Sequence, residues 1–285
     1  MSLMRQLAPL FVILAACSDD PSGTSDTSTT SHSDATDTGD TGDTGDTTSV
    51  NGCSTSVVSG MSGTWGALET QTALVQVEPF GTLTQVSTSL YLATLSGTDP
   101  STITYELCDW LTTDDSSFFT TVMGASVLAS LDPFVRTMHL SERADGTVGF
   151  EVDNGFSLRG VHLDNPATDV MPTDASDSRV YDQDGDGNPG ISLVISGAVS
   201  GQLYTIHRHQ AALDGCFTSQ DRIVGLTDWT TDQIILGSNP QNISANKPVA
   251  TTHPDASLSH FVMVKLADGD TCAELKAKRA TLFPE

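Results

Sequence analysis

Between Arg5 and Arg136 the chain has neither lysine nor arginine, and 12 Lys and Arg stand against 36 Asp and Glu for a formal net charge of −24. A surface this acidic repels phosphate backbones and anionic headgroups, which argues against nucleic-acid binding. Aromatic residues are scarce at 6 %. That weakens the case for a carbohydrate-stacking face and assigns Trp65, Trp110 and Trp229 to core packing. No stretch reaches the ~18 consecutive apolar residues of a membrane-spanning helix. Catalytic signatures are missing as well. In place of G-x-S-x-G there are near misses, Gly60-Met61-Ser62-Gly63 and Val199-Ser200-Gly201, and neither H-E-x-x-H nor a P-loop is present. Many aspartates without a spatial constraint show acidity, not a glycosidase pair.

What the chain does have begins at its start. Met-Ser-Leu-Met-Arg leads into an apolar run from Leu7 to Ala16, too short to cross a bilayer but suited to a signal-peptide core. The sequence Leu14-Ala15-Ala16-Cys17 resembles the lipobox of bacterial lipoproteins. The resemblance implies cleavage before Cys17, diacylation of its sulfur and acylation of the new N-terminus. At ~0.8 kcal/mol per buried methylene, two or three such chains hold a protein to a membrane far more firmly than one. Ser18 stands where an inner-membrane retention signal places Asp, which by the same resemblance favours the outer membrane of a bacterial envelope, on its periplasmic or its surface side.

Residues 1–16 therefore read as a lipoprotein signal peptide, and 17–50 as a lipidated cysteine and its tether. The tether is Ser, Thr, Asp and Gly, with Asp37-Thr38-Gly39-Asp40-Thr41-Gly42-Asp43 at its centre. It buries too little apolar surface to offset its chain entropy and reads as a disordered spacer. Its reach is roughly 30 Å by random-coil scaling, longer with charge repulsion.

From about Asn51 to Glu285 the composition changes to Val, Leu, Ile, Phe and Trp punctuated by Gly, Asn, Asp and Pro. Of five cysteines, four remain once Cys17 is set aside: Cys53, Cys108, Cys216 and Cys272. An even number in an exported chain, without C-x-x-C spacing, argues for two structural disulfides in any of three connectivities.

Period-2 alternation predicts strands around 102–107 and 191–196, with further strands over Trp65–Val77, Leu83–Leu95, Leu203–Leu213, Ile223–Trp229, Gln233–Leu236 and Ser259–Leu266. Pro79-Phe80-Gly81, Ser96-Gly97, Asp145-Gly146, Asn154-Gly155, Ser200-Gly201 and Asp214-Gly215 mark turns. Two helices are expected. One covers about Ser117–Leu131. The other starts at Thr271, where Thr271-Cys272-Ala273-Glu274 forms a capping box. The fold class is mainly β, an antiparallel barrel or sandwich with a short C-terminal helix. Gly63-Thr64-Trp65 and Thr227-Asp228-Trp229 resemble the G-x-W and T-D-Y motifs of the lipocalin family, which would imply a calycin-like barrel carrying a small apolar ligand. The strand count exceeds that of a simple eight-stranded barrel.

The segment Asp182-Gln183-Asp184-Gly185-Asp186-Gly187-Asn188 matches the first half of an EF-hand-type calcium loop. Asp182, Asp184 and Asp186 converge on a hard cation, Gly187 permits the sharp turn and the Asn188 carbonyl adds an oxygen. Position twelve is Leu193 instead of Glu, so other ligands are needed, with Asp153, Asp164, Asp169, Asp174 and Asp177 as candidates. A structural calcium ion of weak affinity, ~10⁻⁵ to 10⁻³ M, is expected. His207 and His209 share a strand face and form a minor candidate for zinc or copper, with His139, His162, His253 or His260 as a third ligand. The reading is a lipid-anchored binding or envelope-structural module without catalytic activity, whose protein, glycan or small-ligand partner is unnamed. A lipocalin-like carrier and an extracytoplasmic hydrolase whose residues converge only in three dimensions are the alternatives.

Overall fold

The computed structural model describes residues 52–55, 60–77, 81–97, 101–245 and 249–284. All lie in the contact unit Thr48–Glu285. The expected leader, Cys17 and the tether fall outside the described residues, as do Pro79 and Phe80 of one expected turn.

Eleven antiparallel strands form one sheet. They are β1 (Gly63–Val77), β2 (Gly81–Ser96), β3 (Ser101–Asp114), β4 (Phe119–Met123), β5 (Phe134–Glu142), β6 (Val148–Arg159), β7 (Ile191–Gly197), β8 (Gly201–Ser219), β9 (Arg222–Asn239), β10 (Val249–Thr252) and β11 (His260–Lys265). The helices are α1 (Ala125–Ser130) and α2 (Cys272–Leu282).

The pairings close on themselves. β1 pairs β2, followed by β3, β5, β6, β8, β9 and β11, and β11 returns to β1. Closure leaves these strands no free edge. The remaining strands make the ring uneven. β3 pairs β5 through Ser101–Tyr105 and β4 through Leu111–Thr113. β8 pairs β6 through His207–Cys216 and β7 through Gly201–Thr205, and β4 pairs β7. The gap between β3 and β8 is thus filled by β5 and β6 over one half and by β4 and β7 over the other.

Alternation sends each strand's two faces to different cores. Trp65 and Ala67 of β1 join Tyr91, Ile103, Phe150, Phe217 and Phe261 inside the ring. Leu68 and Val262 face outward and lie under α2, against Leu275 and Phe283. Thr271 caps α2 with the full capping box. A third cluster, with Val161, Leu163, Met171 and Ile206, seats the long segment 160–190 on the outer face of β8 and β9. Disulfides join Cys53 to Cys216 and Cys108 to Cys272. The second fixes the start of α2 to β3.

Several expectations shift. The helix foreseen over Ser117–Leu131 is replaced by β4 and the six-residue α1. The cause is local: Asp114 Oδ1 accepts from the Ser116 and Phe118 amides and Oδ2 from Phe119. This turn sends the β-favouring Phe119-Thr120-Thr121-Val122 back along β3. Asp214-Gly215 is not a turn but mid-strand, where Gly215 faces Gly225. Asn154-Gly155 lies at an irregularity within β6. The two strands foreseen over Ile223–Leu236 are one, β9, so Thr227-Asp228-Trp229 is strand and not the turn of the lipocalin motif.

Candidate functional site

The acidic loop grows out of segment 160–190 and is closed at its base. Gly190 donates to the Tyr181 carbonyl at 3.0 Å and Gln183 to the Gly190 carbonyl at 2.9 Å, and the Gln183 Oε1 accepts the Gly160 amide at 2.6 Å. His162 stacks on Tyr181 with ring centroids 4.2 Å apart. Within this frame Asp182 takes three backbone amides, from Gly185, Asp186 and Gly187. Gly187 has φ +88°, the left-handed conformation that the sharp turn requires. Asp186 accepts from the Asn188 amide at 2.8 Å and the Ser192 hydroxyl at 2.6 Å, and Asp184 Oδ2 from the Ser192 amide.

One oxygen from each of Asp182, Asp184 and Asp186 lies within 4.8 Å of the others. Three oxygens this close can meet on one hard cation. Asp184 Oδ1 is buried and has no hydrogen-bond partner. Burial raises the Asp184 carboxyl above its ordinary value, and the neighbouring Asp186 and Asp182 charges add to the rise against the Ser192 amide. A divalent cation would satisfy the orphaned oxygen and remove that repulsion.

Among the described residues this trio is the only such cluster, and Asp153, Asp164, Asp169, Asp174 and Asp177 do not join it. Asp177 instead forks onto Arg179, whose hydrogen bonds hold its carboxyl down to about 2. Leu193 is 1 % exposed in the ring core, so position twelve supplies no ligand.

His207 and His209 share a face, as expected, and among the described residues they form no cluster of three or more His, Cys, Asp or Glu ligand atoms. His207 Nε2 lies 3.1 Å from the Thr205 hydroxyl, and His209 meets Thr231 at 2.7 Å and Gln71 at 3.4 Å. Their face is the ring interior, which holds a second constellation that the sequence did not announce. Glu69 and Gln71 continue the inward series of Trp65 and Ala67, and Arg136 and Arg159 enter from β5 and β6. Burial pushes the Glu69 carboxyl up to about 7, with Arg136 opposing. Burial, then the Arg159 and His209 charges, hold His207 down at about 3.

Arg136 donates to the carbonyls of Asp153, at 2.6 and 3.1 Å, and of Ala211. Arg159 is 6 % exposed. Burial lowers its guanidinium while the Tyr91 hydroxyl, bonded to it, works the other way. Arg159 Nε and the Tyr105 hydroxyl have no partner. Among the described residues no carboxylate lies within 4.0 Å of either guanidinium.

A cavity of ≈ 10 Å³ opens among Glu69, Tyr91, Phe134, Arg136, Ser157 and His209. That is room for about one water, whereas carried ligands occupy roughly 300–1,000 Å³. Ser157 and His209 are cross-strand partners, yet both His209 nitrogens face Thr231 and Gln71. Among the described residues no hydrogen bond joins Ser157 to His209, the contact by which a base activates a serine. No family model, curated protein or solved structure matches the chain.

Proposed function

We propose that this chain is a lipid-anchored protein of a bacterial envelope, presenting a calcium-stabilised β domain that acts as a binding or structural module. The observation that carries the reading is the convergence of Asp182, Asp184 and Asp186 around a buried, unpartnered Asp184 oxygen. Asp182, Asp184, Asp186 and the Asn188 carbonyl would hold the ion, and the ion supplies charge neutralisation to a loop seated on β8 and β9. Its role is structural because the loop leads directly into β7, which pairs β4 on one side and β8 on the other.

The anchor rests on Leu14-Ala15-Ala16-Cys17 and the acidic tract behind it. With a formal charge of −24, contact with the membrane runs through lipid and not through the protein surface, and nucleic acid is no partner. The filled ring interior speaks against the carrier, and the occupied His209 nitrogens against a serine hydrolase.

A thermal melt of the full chain in millimolar calcium and in chelator, beside Asp184→Ala, tests the metal. A calcium-dependent rise in midpoint that the variant loses supports the reading, and equal midpoints overturn it. Labelling with a radioactive fatty acid tests the anchor: the label is expected on the native chain and absent from Cys17→Ala.

A further inference from the structure

A second hollow lies where the stretch ahead of the acidic loop meets the loop itself. It holds ≈ 350 Å³, within the roughly 300–1,000 Å³ of ligand sites, and its lining includes Ala175, Val180, Tyr181, Asp182, Asn188 and Pro189. Ala175, Val180, Pro189 and the Tyr181 ring are apolar, whereas Asp182, Asn188 and the Tyr181 hydroxyl are polar. His162 stacks on Tyr181 with centroids 4.2 Å apart without itself lining the groove, so it backs the ring. Tyr181 is also fixed at its backbone, with its amide on the Gly160 carbonyl and its carbonyl on the Gly190 amide.

We propose, resting on the calcium reading above, that this groove binds a neutral sugar ring of a glycan and that calcium shapes its wall. Asp182, Gly187 and Asn188 belong both to the groove and to the loop that would hold the ion. No Lys, Arg or His lines the groove, and three loop carboxylates outweigh one divalent ion, so a sulfate, phosphate or carboxylate is repelled. A cation gains little, because Asp182 already accepts the amides of Gly185, Asp186 and Gly187. A purely apolar ligand would strip water from Asp182 and Asn188 without replacing its hydrogen bonds. A sugar meets both halves of the lining. Its C–H face packs on Tyr181 and Pro189, and its hydroxyls exchange hydrogen bonds with the Asn188 amide and the Tyr181 hydroxyl. The groove opens to solvent, so one ring can enter while the rest of the glycan leaves it. One aromatic ring serves one sugar ring, which a chain with few aromatics still supplies.

The test applies the labelled full chain to an array of neutral, sulfated and sialylated oligosaccharides, in millimolar calcium and in chelator, with a thermal melt of the same sample alongside. Binding to neutral glycans is expected in calcium and lost in chelator. Tyr181→Leu keeps the backbone bonds that close the loop and removes the ring, and Ala175→Leu fills the groove from an exposed position outside the loop. Each is expected to weaken glycan binding several-fold while the calcium-dependent rise in midpoint persists. If Tyr181→Leu does not fold, Ala175→Leu and the native chain decide. A midpoint that responds to calcium with no neutral glycan bound overturns the sugar site and leaves the metal in place. So does a preference for sulfated or sialylated glycans or for a polylysine probe, or glycan binding unchanged in both variants. A midpoint indifferent to calcium overturns the metal reading itself, and glycan binding equal in calcium and chelator overturns the coupling between the two.

Discussion

Gly160 and Gly190 meet backbone to backbone: a Cβ on Gly160 would lie 2.5 Å from the Gly190 Cα. Gly190 is confined from the other side too, since its own Cβ would lie 2.2 Å from the Thr205 carbonyl oxygen, and its φ is +85°. The left-handed conformation alone costs an L-residue about 1–2 kcal/mol, and the collision adds to it. Gly190→Ala is expected to lower the unfolding free energy from urea denaturation by well over that amount, with a lower midpoint, and to weaken cation binding at the loop, because Gly190 closes its base. An unchanged midpoint would show that the loop base is looser than described.

Ser192 holds two of the loop carboxylates, its amide on Asp184 and its hydroxyl on Asp186. Ser192→Ala removes the hydroxyl bond only. Losing one hydrogen bond of about 1 kcal/mol corresponds to about five-fold weaker calcium binding, measured by titration calorimetry. Loss beyond about a hundred-fold would mean that Ser192 is itself a ligand.

Glu69 and His207 drive the pH dependence of stability in opposite directions. The Glu69 carboxyl, raised to about 7 in the folded chain, takes up a proton more readily there than in the unfolded chain, where it titrates near 4.3. Its contribution is most favourable below about pH 4 and is lost as pH rises through about 7, on the order of 3 kcal/mol in all. His207, depressed to about 3, contributes stability above about pH 6.5 and loses it as pH falls. Chemical denaturation of the native chain and Glu69→Gln across pH 4 to 8 isolates the carboxyl. The native chain is expected to lose ground to the variant as pH rises. A constant difference would place Glu69 in water.

Leu275 is fully buried beneath α2, the one buried residue of that helix. Leu275→Ala is expected to cost about 2–5 kcal/mol, as core truncations do. With Cys108–Cys272 intact the start of α2 stays bonded to β3, so trypsin cleavage at Lys276 and Lys278 should rise more when Cys272→Ala is added. Equal cleavage in both would mean that packing alone holds the helix.

Where residue type and position agreed, the fold could be read from the chain. β3 alternates polar and apolar over Thr102–Leu107, and the capping box at Thr271 involves only neighbours in sequence. β5 escaped the same test, although its inward positions Phe134, Arg136 and Met138 keep strict parity. A charge at an inward position hides the hydrophobic rhythm. Glu69 and Arg159 do likewise, and the ring interior therefore went unread: its charges come from strands far apart in the chain, brought together only by closure. The acidic loop was legible because its spacing lies within seven residues, Asp182 to Asn188. Its missing ligands were not, since any further oxygen must come through space.

The Cys53–Cys216 bridge carries a mechanical consequence. Ser54 also bonds Phe217 on β8 and Val148 on β6, so the segment ahead of β1 is fastened to a strand held on both sides by β6 and β9. Tension arriving along the N-terminal tract passes through sulfur into β8. It reaches β8 ahead of β1, which without the bridge would be the first strand to carry it. A protein pulled from its amino end in this way would yield in its entirety or hold.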